Sequence, residues 1–162
     1  MAKNALMILL AVIIIILGSI QMMNPGQTAS QANAVSDLET FVGKATALLK
    51  EKGEAAFADF RNTSEEWVSG EKYVFVYDMS GKTLVLPLQR EIEGTDRANV
   101  ADQNGEKYVK TMVSILTMKD YGWNSYVYMK PGATATSEKL SYFRKVTSGG
   151  KSYIVGSGIY LN

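Results

Sequence analysis

The side chains of this sequence best suited to binding chemistry are aromatic residues and cations in its second half. A tyrosine offers a rigid ring and a hydroxyl that donates a hydrogen bond, and a lysine or arginine can neutralise an anion. Together such groups could hold a small anion against an apolar wall. The candidates are Arg97, Trp123, Tyr126, Tyr128, Lys139 and Tyr142.

Alternation along a strand sorts these candidates by direction. Residues 122–129 read as a strand, so Tyr126 and Tyr128 are expected on one face and Trp123 on the other. Lys139 and Tyr142 fall on the next predicted strand, where Lys139 could supply the neutralising charge. We therefore expect the late strands to carry most of a binding site.

A second interpretation stays open for all of these residues. Aromatic side chains favour strands whatever their function, and most charged side chains are simply solvated. Arg97 and Arg90 lie in an irregular segment that could close over a ligand, or they could face water. The residue types and their spacing alone allow either a site or ordinary packing.

Two absences exclude much of enzyme chemistry, because the sequence contains no cysteine and no histidine. Thiolate nucleophiles, disulfides, Ser-His-Asp triads and the usual zinc sites are thereby excluded. Carboxylate pairs and oxygen-ligated metals remain, but Asp96 and Asp102 are not spaced as in a calcium loop. We predict a protein that is not an enzyme, with no catalytic residue, metal or cofactor.

Charge and length narrow the class further. The chain has 162 residues, and its 17 basic and 16 acidic side chains leave a net charge of +1. A nucleic-acid binder normally carries a basic stripe, so this balance argues against that class. The length suits one domain with its own core.

The N-terminus predicts export. Ala5 to Leu17 is an unbroken apolar run, shorter than the ~20 residues of a membrane helix but typical of a secretory signal. Ala32-Asn33-Ala34 has the small-residue pattern of a cleavage site. We expect residues 1–34 to be a signal peptide and residues 35–162 to form a periplasmic or secreted domain. The alternative is an uncleaved helix that anchors the domain to the inner membrane.

The first predicted element is a helix from Val35 to Asn62. Ser36 followed by Glu39 has the pattern of a capping box, and apolar residues follow at the spacing of one helix face. A break is expected at Gly53, with a short second helix after it.

A second helical segment is expected after a long irregular stretch. Residues 88–104 have few regular signals, and loops of this length are often functional. Asp102 or Asn104 is then predicted to cap a helix. Its apolar face would consist of Tyr108, Val109, Met112, Val113 and Leu116.

The remaining segments predict strands. Residues 73–77 and 83–86 form a hairpin around the turn Asp78–Gly81. Three further strands are expected at residues 122–129, 140–146 and 152–161. Strands grouped in this way, without alternating helices, indicate an α+β domain with one antiparallel sheet, one face of which packs on the helices.

Five sequence blocks occur in a characteristic order. They are YVFVYDMSGKTLVLP, then Gly94 with Asp102-x-x-Gly105-x-x-Tyr108, then GWNSYVYMKP, KLSYFRKV and YIVGSGIY. This order resembles the single Cache domain of the second type, the extracytoplasmic sensor module of bacterial chemoreceptors and sensor kinases. The resemblance covers about Val35 to Tyr160.

The resemblance implies a long N-terminal helix packed on a PAS-like antiparallel sheet. It also implies a pocket for small organic ligands, commonly acetate, propionate, pyruvate or lactate. The six candidates would then form a carboxylate site. Expected partners are a membrane receptor, kinase or transporter in signal transduction or chemotaxis, and the long helix implies a weak homodimer.

Two departures from the family pattern shape the remaining alternatives. Family members often have a histidine before the proline that follows the second strand, and here that position is Leu86. They also usually continue into a second membrane helix and a signalling module, whereas this sequence ends at Asn162. We therefore expect a stand-alone sensor domain that acts through a separate partner. The alternative is a structural or interaction module that keeps the fold without a functional pocket.

Overall fold

A long helix opens the described part of the chain. The computed structural model describes the backbone of residues 25–63 and 66–161, and residues 34–162 form one compact unit. Helix α1 spans Pro25–Lys52. A 3-10 turn at Gly53–Ala55 and helix α2, Ala56–Arg61, follow. Gly53 has a φ of 60°, so the predicted break at this residue is confirmed.

Helix α1 starts earlier than predicted. It begins at Pro25 rather than Val35, because proline suits a first helical position and the glutamine and alanine residues that follow favour helix. Ser36 lies inside the helix, so the predicted capping box is wrong. Ala32–Ala34 is helical too, and cleavage there stays a prediction. The apolar run Ala5–Leu17 lies outside the described residues.

The remaining elements of the described residues are a 3-10 turn at Arg90–Ile92, one helix and seven strands. Within residues 25–63 and 66–161, no helix is both long and apolar enough to cross a membrane. Helix α3 spans Tyr108–Met118. The strands are β1 Val68–Ser69, β2 Lys72–Tyr73, β3 Phe75–Asp78, β4 Thr83–Val85, β5 Tyr121–Met129, β6 Thr136–Ser148 and β7 Lys151–Leu161.

The five longer strands make one antiparallel sheet in the order β4-β3-β7-β6-β5. Strands β1 and β2 form a separate small hairpin that was not predicted. Gly149 and Gly150 both have positive φ in the tight turn between β6 and β7, as a two-residue hairpin loop requires. The predicted α+β fold, with a long N-terminal helix on an antiparallel sheet, is confirmed.

The two faces of the sheet carry separate cores. Phe41, Ala45 and Leu49 of α1 share a buried cluster with residues such as Val76 and Val155 on one face. On the other face, a second cluster combines α3 with aromatic residues of the sheet: Tyr73, Phe75, Tyr77, Tyr126 and Phe143. Alternation along each strand produces this division.

Residues 86–107 connect β4 to α3, and Asp102 has a different role from the predicted one. It does not cap α3, which begins after Lys107 with no side-chain cap. Its Oδ1 instead accepts the backbone N–H groups of Asn104 and Glu106, and its Oδ2 accepts that of Val127 at 2.7 Å. Asp102 therefore fastens this connection to the outer edge of β5.

Candidate ligand-binding site

Strand register places Lys139 inside the α3 face of the sheet. Along β6, Lys139, Ser141 and Phe143 alternate with Leu140 and Tyr142 and point toward α3, so the lysine enters the core instead of the solvent. The Lys139 side chain is 1% exposed. A buried lysine is rare unless it is paired, and its surroundings are therefore the first place to look for a site.

Glycine on the neighbouring strand makes room for this side chain. Gly158 lies beside Ser141 in the β6–β7 ladder. A Cβ at Gly158 would stand 2.5 Å from Lys139 Cε and 2.6 Å from Ser141 Oγ, closer than packed atoms allow. The absence of a side chain at position 158 therefore leaves the space that the Lys139 stem occupies.

The ammonium group of Lys139 lies among aromatic rings. Its Nζ donates a hydrogen bond of 2.9 Å to the hydroxyl of Tyr73. It lies 4.1 Å from the ring centroid of Tyr73, 5.2 Å from that of Tyr160, 5.3 Å from that of Tyr128 and 5.8 Å from that of Phe75. Ring faces attract cations at such distances.

No acidic side chain compensates this charge in the part of the chain that the structure describes. The five ion pairs found there all involve other cations. Burial disfavours the charged form, and it lowers the pKa of Lys139 from 10.5 to about 7. The site therefore contains a desolvated amine without a neighbouring carboxylate among the described residues.

Tyrosine hydroxyls extend the site along β5. The hydroxyls of Tyr126 and Ser141 are hydrogen-bonded at 3.0 Å, and the ring of Tyr126 stacks on Tyr108 of α3 with centroids 4.4 Å apart. Tyr128 donates its hydroxyl to the side chain of Gln89. We call Tyr73, Phe75, Tyr108, Tyr126, Tyr128, Lys139 and Tyr160 the Lys139 cluster.

Burial keeps the hydroxyls of Tyr73, Tyr126 and Tyr128 protonated. It raises the pKa of Tyr73 and of Tyr126 well above the ordinary value, and it raises the pKa of Tyr128 as well. Neutral tyrosines are hydrogen-bond donors. The cluster therefore presents O–H groups and one amine, a combination suited to an acceptor-rich ligand.

Arg97 reaches the cluster from the connection between β4 and α3. Its Nη2 donates to the hydroxyl of Tyr108 at 3.0 Å, while its buried Nε has no hydrogen-bond partner. A buried donor without a partner is costly, so Arg97 has unused binding capacity. Arg90, in contrast, is exposed in a 3-10 turn.

The position before Pro87 also contributes to this core. Leu86 is fully buried and packs with the aromatic residues of the α3 face. The backbone N–H of Leu86 donates to the carboxylate of Glu93 at 2.8 Å. An apolar wall therefore stands where the family pattern often has a histidine.

Two of the six candidate residues lie elsewhere. Trp123 and Tyr142 contact each other as tilted rings with centroids 4.8 Å apart, and they pack with Leu38 and Val42 of α1 on the opposite face of the sheet. The expected separation of Trp123 from the tyrosines of β5 is confirmed. Tyr142 does not share a face with Lys139, because the two are an odd number of residues apart on one strand. The binding roles of all six residues stay predictions.

Sequence reasoning missed four members of the cluster. Tyr73, Phe75, Tyr108 and Tyr160 were assigned to strands and a helix without a binding role. The observations that identify them are their positions in the sheet. Tyr160 lies opposite Lys139 in the β6–β7 ladder, and Tyr73 lies on the same face of the sheet as Phe75 and Tyr77. Without the strand register, these positions were not visible.

Other concave or polar features of the described residues lie away from the cluster. An open hollow of about 430 Å³ lies between α1 and β6, lined by residues such as Thr46, Lys50 and Arg144. A smaller one lies at the β6–β7 turn. Among the described residues, no group of three or more acidic side chains lies close enough together to hold a metal ion. The Lys139 cluster is the better candidate, because its chemistry is buried and uncompensated.

Comparisons with known proteins agree with this fold. A chemotaxis protein from Vibrio parahaemolyticus superposes with a TM-score of 0.70 at 19% identity, covering 84% of this chain and 93% of that one. A Cache chemosensory domain whose structure is described as a basis for carboxylic acid recognition superposes with a TM-score of 0.69 at 22% identity, covering 86% and 100%.

A sequence relative and a family model complete the comparison. The sensor histidine kinase MctS of Rhizobium johnstonii is 29% identical over 90 residues, which cover 56% of this chain and 19% of the kinase. The chain thus matches about a fifth of that relative's length. The family model described as single Cache domain 2 matches residues 17–162. Given this match and the shared fold, the chain belongs to the single Cache domain 2 family.

Proposed function

We propose that this chain is a non-catalytic, extracytoplasmic sensor domain that binds a small organic carboxylate in the Lys139 cluster. The observation that carries the proposal is the fully buried Lys139, held by rings and one hydroxyl with no acidic partner among the described residues. A buried charge without a counter-charge is strongly unfavourable. A carboxylate ligand would supply the missing charge.

The other residues of the cluster suit the rest of such a ligand. Tyr126 offers a hydroxyl donor, Tyr128 offers one on releasing Gln89, and Arg97 offers a second cation with an unused Nε. Ring faces and Leu86 offer apolar surface for a short alkyl group. Because the cluster is closely packed, it favours a ligand of a few heavy atoms, such as acetate, propionate, pyruvate or lactate.

The family supports a signalling role. The similar structures include chemoreceptor sensor domains, one of them described as periplasmic, and the sequence relative is a sensor kinase. We propose export of residues 35–162 and signalling through a membrane receptor, kinase or transporter, with a weak homodimer through α1.

Ligand screening by thermal shift tests the proposal. Short carboxylates should raise the melting temperature of the full chain, and their neutral amides should not. A ligand at 100 times its Kd stabilises the native state by about 2.7 kcal/mol. Lys139→Met should abolish the shift.

Lys145→Met is the matched control for this variant. Lys145 lies on the same strand and face, but it is partly exposed and bonds Leu116 and Asp120, so its removal should leave the shift intact. If no carboxylate stabilises the chain, or if Lys139→Met binds as the native chain does, the proposed site is wrong.

A second candidate function is a structural or interaction module without a working pocket. It is favoured by the close packing around Lys139, whose stem lies against Gly158 and whose ammonium already bonds Tyr73. In that case the aromatic rings would be a permanent substitute for a ligand. Thermal-shift curves unchanged by any small acid, with a stable domain, would favour this module.

A further inference from the structure

A buried amine with no acidic partner has a second capability besides charge neutralisation. In a hydrophobic pocket a lysine is kept in the neutral form, which is the nucleophile in imine formation with carbonyl compounds. Burial lowers the pKa of Lys139 to about 7, so the free amine is populated at neutral pH. Partly exposed lysines such as Lys145 and Lys130 instead carry an acidic partner.

We propose that Lys139 captures 2-oxo acids covalently, as an imine between its Nζ and the ligand's carbonyl carbon. This inference rests on the proposed function, because the same cluster must first admit the acid. It narrows the substrate class from short carboxylates in general to those that carry a carbonyl group beside the carboxylate.

Charge balance favours this class of ligand. A protonated imine is a cation, and the rings of Tyr73, Tyr128, Tyr160 and Phe75 already surround that nitrogen. The adjacent carboxylate of a 2-oxo acid would neutralise it within the same ligand. The closed site would then contain a compensated pair instead of a lone charge.

The hydroxyl of Tyr73 is placed to move the protons. It lies 2.9 Å from Nζ, and burial keeps it protonated by raising its pKa well above the ordinary value. When Nζ bonds to the carbonyl carbon, the carbonyl oxygen takes a proton from this hydroxyl, and the nitrogen returns a proton to Tyr73. The resulting carbinolamine loses its hydroxyl as water on receiving a second proton, which comes from solvent. One amine, one carbonyl and one proton thus yield one protonated imine and one water, with no oxidation or reduction.

Reductive trapping tests the inference on the full chain. The chain is incubated with pyruvate and sodium cyanoborohydride, and the modified lysine is located by peptide mass spectrometry. We expect a carboxyethyl adduct at Lys139, absent with lactate, which has no carbonyl, and absent in Lys139→Met. Lys145→Met should be modified at Lys139 as the native chain is.

Tyr73→Phe keeps the ring and removes the proton donor. We expect it to slow adduct formation at Lys139 by at least about tenfold. This variant also guards against misfolding of Lys139→Met, since it keeps Lys139 and its folding is reported by a cooperative urea-unfolding transition.

The outcomes separate the two proposals. Preferential modification of Lys139 over the exposed lysines supports the imine. If pyruvate and acetate both raise the melting temperature but Lys139 is not trapped, or is trapped no faster than surface lysines, the imine is refuted and the carboxylate site stands. If no acid raises the melting temperature and no adduct forms, both proposals are refuted.

Discussion

Replacing Lys139 with methionine should stabilise the ligand-free domain, with an effect that depends strongly on pH. Methionine matches the length and volume of the buried stem but needs no desolvated charge. The pKa of Lys139 falls from 10.5 in water to about 7 in the fold, so the unfolded chain binds this proton more tightly than the native one does. Stability of the native chain therefore rises with pH between about 7 and 10.5, and the lysine is most unfavourable below pH 7.

The size of this effect follows from the two pKa values. Linkage gives a cost of about 4 kcal/mol at pH 7 that shrinks to about 1.4 kcal/mol at pH 9.5, since each pKa unit is about 1.4 kcal/mol. Loss of the hydrogen bond to Tyr73 and of the ring contacts offsets part of the gain, but by an amount that does not change with pH. The difference between variant and native chain should thus fall by about 3 kcal/mol over this range.

Urea denaturation of both chains at several pH values measures this difference directly. The tyrosines of the cluster do not obscure it, because both chains contain the same tyrosines and their contribution cancels in the difference. Lys145→Met, which removes a partly exposed lysine from the same strand, should keep the native pH slope. A stability difference for Lys139→Met that is constant from pH 7 to 9.5 would refute the assignment of a desolvated, uncompensated amine.

Three further substitutions, the first with a control at another glycine, test the packing of the sheet and the placement of the site. Gly158→Ala should lower the free energy of unfolding in urea by about 1–3 kcal/mol, because its Cβ would meet Lys139 Cε at 2.5 Å. The control Gly43→Ala changes a helical position with open space. It should be neutral or stabilise the domain by about 0.5–1 kcal/mol. Asp102→Asn should lower the free energy of unfolding by about 1–3 kcal/mol at neutral pH. Burial opposes ionisation of Asp102, but three backbone donors hold its pKa below the ordinary value. The loss of stability should therefore vanish as the pH falls through that pKa. Tyr142→Phe should leave carboxylate-induced thermal shifts unchanged, since this residue packs on the α1 face, and a lost shift would show that the site is on the other side of the sheet.

Most of the fold was predictable because its signals are local. The aromatic and β-branched runs, the Gly149–Gly150 turn and the apolar face of α3 each specify an element within about ten residues. The start of α1 was not predictable in this way. A serine followed three residues later by a glutamate marks a helix N-terminus in some sequences but also occurs inside helices, as Ser36 and Glu39 do here. The β1–β2 hairpin was missed because each of its strands has only two residues, too few for a period to show.

The site was harder to predict because it depends on pairing between distant strands. Alternation separated Trp123 from Tyr126 and Tyr128 correctly, since all three lie on one strand. The same rule applied to β6 would have separated Lys139 from Tyr142. That Lys139 is buried instead of solvated depends on Gly158, Tyr73 and α3, which come together only in the folded sheet.

Desolvation of Lys139 also predicts opposite pH trends for two classes of ligand. A simple carboxylate such as acetate pairs with the ammonium form, so its binding should draw a proton onto Lys139 and weaken as pH rises above about 7. Attack on a 2-oxo acid requires the neutral amine, so the rate of trapping should increase over the same range. Titratable neighbours of the amine are the hydroxyls of Tyr73, Tyr128 and Tyr160, all with raised pKa values, and they contribute little below pH 9. From pH 6 to 9, the affinity for acetate should therefore fall while the rate of pyruvate trapping rises. If the two change in the same direction, the same amine is not responsible for both.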